Sequence, residues 1–363
     1  MQDGGTSVVV AMSGGVDSAT AAGLLKEQGY DVTGVSLRLP VYGDEGAADA
    51  PCDATNGIED ARRVARRLGV PFHVLDFREE FRRSVVEDFC RAYAQGLTPN
   101  PCVLCNERVK FGALLDKALA LGAEFLATGH YVRREQQEGS GRVLLRTGSG
   151  EDDQSYFLHR LTQQQLGRVL FPLGGLRKPE VRRLAERWGL PVHDKPGSQD
   201  LCFLPNGHYR EFLRRECPEA LRPGPIVHVS GEVLGRHEGI AAYTVGQRRG
   251  LGVAHGEPLY VVGFRREENA VVVGGREHTL RRELRVRDVN WIAPQPDGPF
   301  RAAVKIRYNH PPADAEVVPV GQGGAAVCFA EAQASPCPGQ AAVFYEGDLL
   351  LGGGTIEPPE GQP

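Results

Sequence analysis

Three cysteines lie in stretches whose residue types suggest chemistry. Cys102 and Cys105 are three residues apart in TPNPCVLCNERVKF, and Cys202 lies in GSQDLCFLP. Because a thiolate is both a nucleophile and a metal ligand, the CxxC pair fits half of a zinc site, a redox pair, or one nucleophile beside an unrelated neighbour. A second CxxC or paired histidines at finger spacing are missing, which disfavours zinc. Pro99 and Pro101 stand where a thioredoxin-like motif would follow a strand, which disfavours a redox pair.

The remaining cysteines have no comparable surroundings. We expect them to be simple buried structural residues: Cys52, Cys90, Cys217, Cys328 and Cys337. The N-terminus carries no basic and apolar signal-like region, so eight cysteines in 363 residues do not indicate a secreted disulfide framework. A run of about 18 apolar residues is also missing, so we expect no membrane span and a cytoplasmic protein.

A glycine-rich turn, AMSGGVDS, lies between a predicted strand and a predicted helix. Gly14 and Gly15 allow the backbone to approach an anion closely, Ser13 and Ser18 add hydroxyl groups, and the helix directs free N–H groups at the same point. The turn is neither a Walker loop nor a Rossmann GxGxxG, and no lysine follows it. An Asp within a phosphate-binding turn suggests that Asp17 holds a divalent cation against pyrophosphate.

Apolar runs that alternate with helical patterns in the first half predict βαβ units and a parallel sheet. Later segments such as GPIVHVSGEVLG and GQAAVFYEGDLLLGGG alternate at strand spacing and predict an all-β part. We therefore predict an α/β protein with a Rossmann-like N-terminal domain at 1–205. A small β-rich central domain at 206–275, a C-terminal β-barrel at 276–358 and a disordered tail at 359–363 follow it.

SGGxDS resembles the pyrophosphatase (PP) loop of the adenine-nucleotide alpha hydrolases, which split ATP between its α and β phosphates. Eight segments resemble, in order, the tRNA-specific 2-thiouridylase (MnmA) family: AMSGGVDS, TPNPCVLCNERVKF, LATGHY, DDQSYFL, GSQDLCF, YTVGQRRGLG, KIRYNH and PGQAAVFYEGDLLLGGG. The resemblance implies ATP and Mg²⁺ as cofactors and the wobble uridine of tRNAs for Lys, Glu and Gln as the target. The C2 oxygen of uridine would be adenylated and then replaced by persulfide sulfur, giving 2-thiouridine, AMP and pyrophosphate.

The resemblance also assigns roles to the cysteines. Cys202 matches the persulfide carrier and Cys105 the catalytic nucleophile, and the two would form a transient disulfide if their α-carbons come within roughly 7 Å. A helix predicted to begin near Glu107 would place Cys105 at its N-terminal end, where the thiol pKa falls. Asn100, Pro101 and Cys102 match the target-base contact. Many family members carry Asp at the last of these positions, so the identity of a general base is open.

The binding residues are likewise implied by the resemblance. ATP would contact Ala11, Met12, Ser13, Gly14, Gly15, Val16, Asp17, Ser18, Leu37 and Gly129. The tRNA would contact His130, Asp152, Asp153, Gln154, Arg307, Tyr308 and Gln340. Two acids repel phosphates, so for Asp152 and Asp153 we expect base or ribose contacts or a helix-capping role. No protein-only metal site is expected, and the sulfur donor would be a relay protein or a cysteine desulfurase. We expect a monomer.

Two other functions fit parts of the pattern. A related adenylating ligase or amidating synthetase would use the loop without either catalytic cysteine and would consume an amine. A non-catalytic RNA-binding protein would use the loop only to sense a nucleotide.

Overall fold

The computed structural model describes residues 5–42, 53–197, 201–204 and 209–359, with the side chains of 53–56 excluded. Contacts divide the chain into two compact units. The first unit contains the described residues of Met1–Val85, Cys102–His208 and Asp348–Leu350. The second contains those of Val86–Pro101, Tyr209–Gly347 and Leu351–Pro363.

The first unit is built on a parallel sheet. Its strands are β1 (Ser7–Ala11), β2 (Asp31–Arg38), β3 (Phe72–Asp76), β4 (Phe125–Ala127), β5 (Val132–Gln136), β6 (Val143–Thr147) and β7 (Val169–Leu170). The parallel sheet has the order β3-β2-β1-β4-β7, and β5 and β6 form an antiparallel pair that belongs to a second sheet. This confirms the predicted Rossmann-like N-terminal domain.

The helices of the described residues are α1 (Val16–Glu27), α2 (Asp53–Leu68), α3 (Arg78–Phe81), α4 (Glu87–Ala94), α5 (Pro101–Leu104), α6 (Leu115–Ala120), α7 (Gln163–Leu166), α8 (Lys178–Arg187) and α9 (Tyr209–Glu216). Two π-helical segments, Arg82–Val86 and Cys105–Leu114, join α3 to α4 and α5 to α6. None of the helices in these described ranges has the length and apolar character needed to cross a membrane.

Small apolar residues let α1 pack closely on its neighbours in the first unit. Ala19, Ala22 and Leu25 are buried in the same core cluster as Val181 and Ala185 of α8. A side chain at position 23 would lie 2.5 Å from the ring of Trp188, so this close packing of α1 requires glycine. The packing brings the first turn of α8 to the carboxyl edge of the sheet, where α1 begins.

The second unit contains two β structures. The first is a four-stranded sheet of order β10-β11-β8-β9, in which Ile226, Val261, Val271 and Val273 are buried. Its strands are β8 (Gly224–His228), β9 (Val233–His237), β10 (Tyr260–Arg265) and β11 (Ala270–Gly274). This sheet confirms the predicted β-rich central domain.

The second β structure is a closed barrel of order β12-β15-β14-β13-β16-β17, in which β17 also pairs with β12. Its strands are β12 (Leu280–Trp291), β13 (Phe300–Lys305), β14 (Ala313–Val320), β15 (Gly324–Ala334), β16 (Ala341–Glu346) and β17 (Leu349–Ile356). Closure pairs both edges of the sheet and confirms the predicted C-terminal barrel. Leu349 and Leu350, at the start of β17, belong to the first unit and pair there with β6.

The predicted domain boundary at 205/206 and most of the predicted tail lie outside the described residues. The boundary at 275/276 falls within the second unit. All three domain boundaries therefore stay predictions.

The segment 86–101 belongs to the second unit, although the chain on both sides belongs to the first. A disulfide between Cys90 of α4 and Cys217 ties it to the residue after α9, with the α-carbons 5.8 Å apart. The rings of Phe89 and Phe212 lie 5.8 Å apart beside this bond. The prediction that Cys90 and Cys217 are simple buried structural cysteines is corrected, because the fold brings them together as a disulfide across 127 residues.

Candidate functional site

The turn between β1 and α1 is closed by its two serines. Ser18 Oγ accepts a hydrogen bond from the backbone N–H of Ser13 at 3.1 Å and lies 3.3 Å from Ser13 Oγ. Met12 is held beneath the turn, because its N–H donates to the carbonyl of Val35 at 2.8 Å and its carbonyl accepts from Ser36 Oγ. Ala11 ends β1, and Val16 is buried at the start of α1.

Glycine is required at two positions of this site. Gly14 has φ +78°, and a Cβ there would lie 2.0 Å from the carbonyl oxygen of Gly57. A Cβ at Gly129 would lie 2.7 Å from the backbone nitrogen of Ser18. Gly15 has an extended backbone and caps α1 without a side-chain hydrogen bond. The turn thus presents backbone N–H groups at two glycines without a Cβ, together with two serine hydroxyls, and this arrangement fits a phosphate group.

The other residues predicted to contact ATP lie at the same edge of the sheet. Leu37 is the penultimate residue of β2, and Gly129 follows the end of β4. β2 and β4 are the two neighbours of β1, and all three run parallel. Their carboxyl ends therefore meet at one edge, which is where open α/β sheets bind ligands.

Asp17 lies in the first turn of α1, and its carboxylate already has partners in the first unit. Lys178 Nζ lies 2.7 Å from Oδ1 and 2.6 Å from Oδ2, and the hydroxyl of Tyr131 donates to Oδ1 at 2.6 Å. Burial and the bond to Asp17 raise the pKa of Tyr131 above its usual range, so the phenol stays a donor. Sequence reasoning missed Lys178 and Tyr131, because they lie 161 and 114 residues further along the chain.

A second lysine, also missed from the sequence, supports the turn. Lys195 Nζ donates to the carbonyl oxygen of Gly14 at 3.2 Å and to Asp60 Oδ2 at 2.7 Å. Its side chain is partly exposed, and its charge is balanced by the carboxylate of α2. Lys195 therefore holds the shape of the turn from the α2 side.

The three cysteines predicted to be reactive or to contact the target base lie in two segments of the chain. Cys102 is the exposed second residue of α5, and Cys105 is the buried first residue of the π-helical segment. Cys202 is exposed in a short turn, and the following Phe203 is buried against Phe81 with ring centroids 5.5 Å apart. All three thiols are free, so the predicted transient Cys105–Cys202 disulfide is not formed in this structure.

The electrostatics of these thiols differ from the prediction. The helix begins at Pro101 rather than near Glu107, so Cys105 does not lie at a helix N-terminus. Burial raises the pKa of Cys105, and the neighbouring protein also desolvates the thiols of Cys102 and Cys202 and raises theirs. The prediction of a lowered pKa at Cys105 is therefore wrong for this state.

The three thiols nevertheless influence one another. The pKa of Cys202 rises to about 12, chiefly through desolvation and then through the charges of Cys105 and Cys102. The charge of Lys110, in the same π-helical segment as Cys105, offsets part of this rise in the pKa of all three thiols. The fold of the first unit thus brings Cys202 within range of the charges of Cys102, Cys105 and Lys110, about a hundred residues away in the chain.

His130 lies in the same environment. Its Nδ1 is 2.7 Å from Thr128 Oγ1, and its ring lies 5.8 Å from that of Phe111. Burial, followed by the charge of Lys110, lowers the pKa of His130 well below its usual range. The imidazole is therefore neutral at neutral pH.

The acidic segment before the 3₁₀ helix Ser155–Leu158 has structural partners. Asp153 Oδ1 accepts from the backbone N–H groups of Gly148 and Ser155 at 2.9 and 3.1 Å. Gln154 Oε1 accepts from the N–H of Tyr131 at 3.2 Å. Asp152 is exposed. Asp153 therefore holds the backbone before and at the start of the 3₁₀ helix, whose N-cap residue is Gln154.

The predicted tRNA contacts of the barrel also have defined surroundings in the second unit. Arg307 Nη2 donates to the carbonyl of Ala334 at 3.1 Å, and Lys305 Nζ lies 5.2 Å from the ring centre of Tyr308. Gln340 Nε2 donates to the carbonyl oxygens of Thr98 and Pro99. Gln340 therefore binds the backbone that leads to Asn100.

The remaining cysteines lie in varied surroundings, and the described residues also bear on the possibility of a zinc site. Cys337 is buried, as expected, but Cys328 is exposed on β15, which corrects its expected burial. Cys52 lies outside the described residues. Among the residues that the structure describes, no group of three or more His, Cys, Asp or Glu side chains could hold a metal ion.

The parallel sheet and the glycine-rich turn define an α/β protein with a PP-loop domain followed by two β domains. Family models match all three parts: the tRNA methyl transferase HUP domain at 6–206, the tRNA methyl transferase PRC-barrel domain at 210–275 and the aminomethyltransferase beta-barrel domain at 281–356. Relatives 51% identical over 96% of the chain show that it belongs to the tRNA-specific 2-thiouridylase (MnmA) family.

Relatives that align with nearly the whole chain support its membership of this family. The tRNA-specific 2-thiouridylase MnmA of Geobacter metallireducens is 51% identical over 354 residues, which is 96% of each chain. That of Heliobacterium modesticaldum is 51% identical over 355 residues, 96% of this chain and 92% of the relative. A 4-thiouridine synthetase–RNA complex with bound ATP is 19% identical with a TM-score of 0.37, over 59% of this chain and 51% of its own. At that low score the assignment depends on the sequence relatives alone.

Proposed function

We propose that this chain is an ATP-dependent tRNA-specific 2-thiouridylase, that is, a tRNA-uridine 2-sulfurtransferase. The observation that carries the proposal is that the first unit holds both a turn shaped for phosphate and the free cysteines Cys102, Cys105 and Cys202. Its relatives at about half identity bear the name of this activity.

The nucleotide would lie along the turn. Ala11, Met12, Ser13, Gly14, Gly15, Val16, Asp17 and Ser18 would hold its phosphates, and Leu37 and Gly129 would line the adenine. ATP supplies the adenylyl group that converts the C2 oxygen of uridine into a leaving group. The protein binds the phosphates through the α1 N–H groups and the serine hydroxyls, and Asp17 is the side chain suited to hold Mg²⁺.

The cysteines would complete the exchange of oxygen for sulfur. The outer sulfur of a Cys202 persulfide forms a bond to C2, and the C2–O bond breaks with its electron pair leaving on AMP. The thiolate of Cys105 then attacks the sulfur of Cys202, and the broken S–S bond leaves its electron pair on the substrate sulfur. The resulting Cys105–Cys202 disulfide is reopened by a cellular dithiol, which supplies two electrons.

The raised pKa values of the thiols set a condition on these reaction steps. At neutral pH the Cys102 thiol is protonated, so it does not replace the carboxylate that many relatives carry at this position. Cys105 and Cys202 also need a change of surroundings to become thiolates. Binding of tRNA at Asn100, Pro101 and Cys102 is the step that would change them.

The partner is the anticodon stem-loop of tRNAs for Lys, Glu and Gln. Arg307 would pair with phosphate and Tyr308 would offer a stacking face. The other proposed contacts are His130, Asp152, Asp153, Gln154 and Gln340. The sulfur donor would be a persulfide-bearing relay protein or a cysteine desulfurase, and the enzyme would act as a cytoplasmic monomer.

The test uses the purified full chain with ATP, Mg²⁺, a persulfide donor and unmodified tRNA. Cys202→Ala is expected to abolish 2-thiouridine while pyrophosphate release persists. Cys328→Ala, at an exposed cysteine of the barrel, is the matched control and should retain both. Full thiolation by Cys202→Ala would overturn the assignment of this residue. Unchanged 2-thiouridine in cells that lack this chain would overturn the function itself.

A further inference from the structure

We propose that Lys178 binds the polyphosphate of the nucleotide. Until a divalent cation binds the Asp17 carboxylate, Lys178 is paired with that carboxylate instead. The inference rests on the proposed function and deepens it, because it adds a residue to the nucleotide site that the sequence did not indicate. It also explains how a turn without a lysine of its own acquires a cation.

The contacts of Asp17 show that Lys178 occupies the place a metal ion would need. The ammonium lies 2.7 and 2.6 Å from the two carboxylate oxygens, and it also lies 5.6 Å from the ring centre of Tyr131. The side chains of Lys178 and Asp17 are 21% and 31% exposed, so the pair is largely shielded from water. Both oxygens of Asp17 are thus neutralised by one lysine.

Electrostatics determine what happens when a divalent cation binds Asp17. One carboxylate cannot neutralise both an ammonium and a dication, and the two positive charges repel one another at such short distances. The ammonium must then find another anion, because a shielded charge without a partner is unfavourable. Nucleotide phosphates bound at the β1–α1 turn would be the anions beside Asp17, since Asp17 lies in the first turn of α1.

Two other cationic side chains near the turn have other hydrogen-bond partners. Lys195 binds the Gly14 carbonyl and Asp60, and Arg182 donates to the carbonyls of His193 and Lys195. Lys178 differs because both of its contacts are to the carboxylate oxygens of Asp17, the side chain suited to hold a divalent cation. It is the first residue of α8, so its long side chain changes partner without any movement of the sheet. A lysine is a suitable point charge for phosphate.

Binding of ATP and of adenosine to the full chain separates a phosphate contact from a general defect. With Mg²⁺ present, Lys178→Met is expected to weaken ATP binding on the order of tenfold or more, since one charged hydrogen bond is lost. Adenosine binding should stay unchanged, and Lys178→Arg should restore part of the ATP affinity. Arg187→Met removes a cation paired with Glu27 on the same helix, and it should leave both affinities intact.

A second comparison in EDTA tests the exchange of partners. Asp17→Asn frees Lys178, so it should tighten ATP binding in the absence of divalent cations. The double variant Asp17→Asn/Lys178→Met should lose that gain. If the double variant keeps the full gain, only carboxylate repulsion was relieved and the proposal is wrong.

Different results would overturn the proposed function and the role of Lys178. A wild-type chain that does not bind ATP would overturn the proposed function. A wild-type chain that binds ATP, together with a Lys178→Met variant that binds it equally well, would overturn only the role of Lys178. Equal losses of ATP and adenosine in that variant would also contradict the proposal.

Discussion

Gln340 Nε2 lies 3.0 Å from the carbonyl oxygen of Thr98 and 3.2 Å from that of Pro99. The N–H of Thr98 in turn donates to the carbonyl of Pro338 at 2.8 Å. The loop before β16 therefore binds the backbone immediately before Asn100. Within the second unit, a residue taken from the resemblance as a tRNA contact also positions the segment that would meet the target base.

Replacing Gln340 with Leu should loosen that segment. Two hydrogen bonds to Thr98 and Pro99 are lost, and we expect a cost of about 1 kcal/mol for each. Amide exchange at Leu97, Thr98 and Asn100 should accelerate and thiolation should fall. Gln333→Leu is the control, because the Gln333 amide donates to its own strand at Glu331. Unchanged exchange with weakened tRNA binding would show that Gln340 acts only as an RNA contact.

Two adjacent glycines of the turn should respond differently to alanine. Gly14→Ala places a Cβ against the Gly57 carbonyl at a positive φ, and we expect it to destabilise the first unit by roughly 1–3 kcal/mol. At Gly15 a Cβ would lie 3.5 Å from Ser13 Oγ, an ordinary contact, so Gly15→Ala should leave stability nearly unchanged. Chemical denaturation of both variants measures the difference. Equal stability would contradict the geometry of the turn.

The Cys90–Cys217 disulfide should contribute to the stability of the second unit. It closes a long loop, and we expect the Cys90→Ala/Cys217→Ala variant to lose about 2–4 kcal/mol relative to the oxidised chain. Reduction of the wild type during refolding should produce a similar loss, whereas the variant should be insensitive to reductant. Cys328→Ala serves as the unpaired control. If mass spectrometry finds two free thiols at 90 and 217 without reductant, the bond is not formed in solution.

Alkylation of Cys202 should show its raised pKa. Because the pKa is raised to about 12, the thiolate fraction is small at pH 7 and rises about tenfold per pH unit. The rate of reaction with iodoacetamide at Cys202 should therefore still be increasing at pH 10. A free cysteine peptide, with a pKa of about 8.5, should by then approach its plateau. A plateau for Cys202 below pH 9 in the folded chain would contradict the shift.

Lys110 provides a matched variant for the same measurement. Its charge lowers the pKa of Cys102, Cys105 and Cys202, so Lys110→Met should slow alkylation at every pH below the plateau. Lys117→Met removes a lysine that lies over the ring of Phe77, and it should leave the rates unchanged.

Local sequence patterns were sufficient for much of the fold. SVVVAM, followed by two glycines and a helical pattern, predicted the β1–turn–α1 unit, because strand, turn and helix preferences act over a few residues. The alternation after about 205 likewise predicted the two β structures. The helix starting near Glu107 was misplaced, because two prolines at 99 and 101 conceal a helix that begins at Pro101. Pro at the first turn of a helix loses no hydrogen bond.

Residue patterns alone are enough to find the loop, the three cysteines and, through eight segments in order, the family. Folding brings together side chains that no pattern links: Lys178 and Tyr131 at Asp17, Cys217 at Cys90, and Gln340 at Thr98. These partners lie more than a hundred residues apart, where local preferences carry no information. Burial, too, is a property of the folded chain, and for that reason the pKa of the Cys105 thiol is raised where a lowered one was expected.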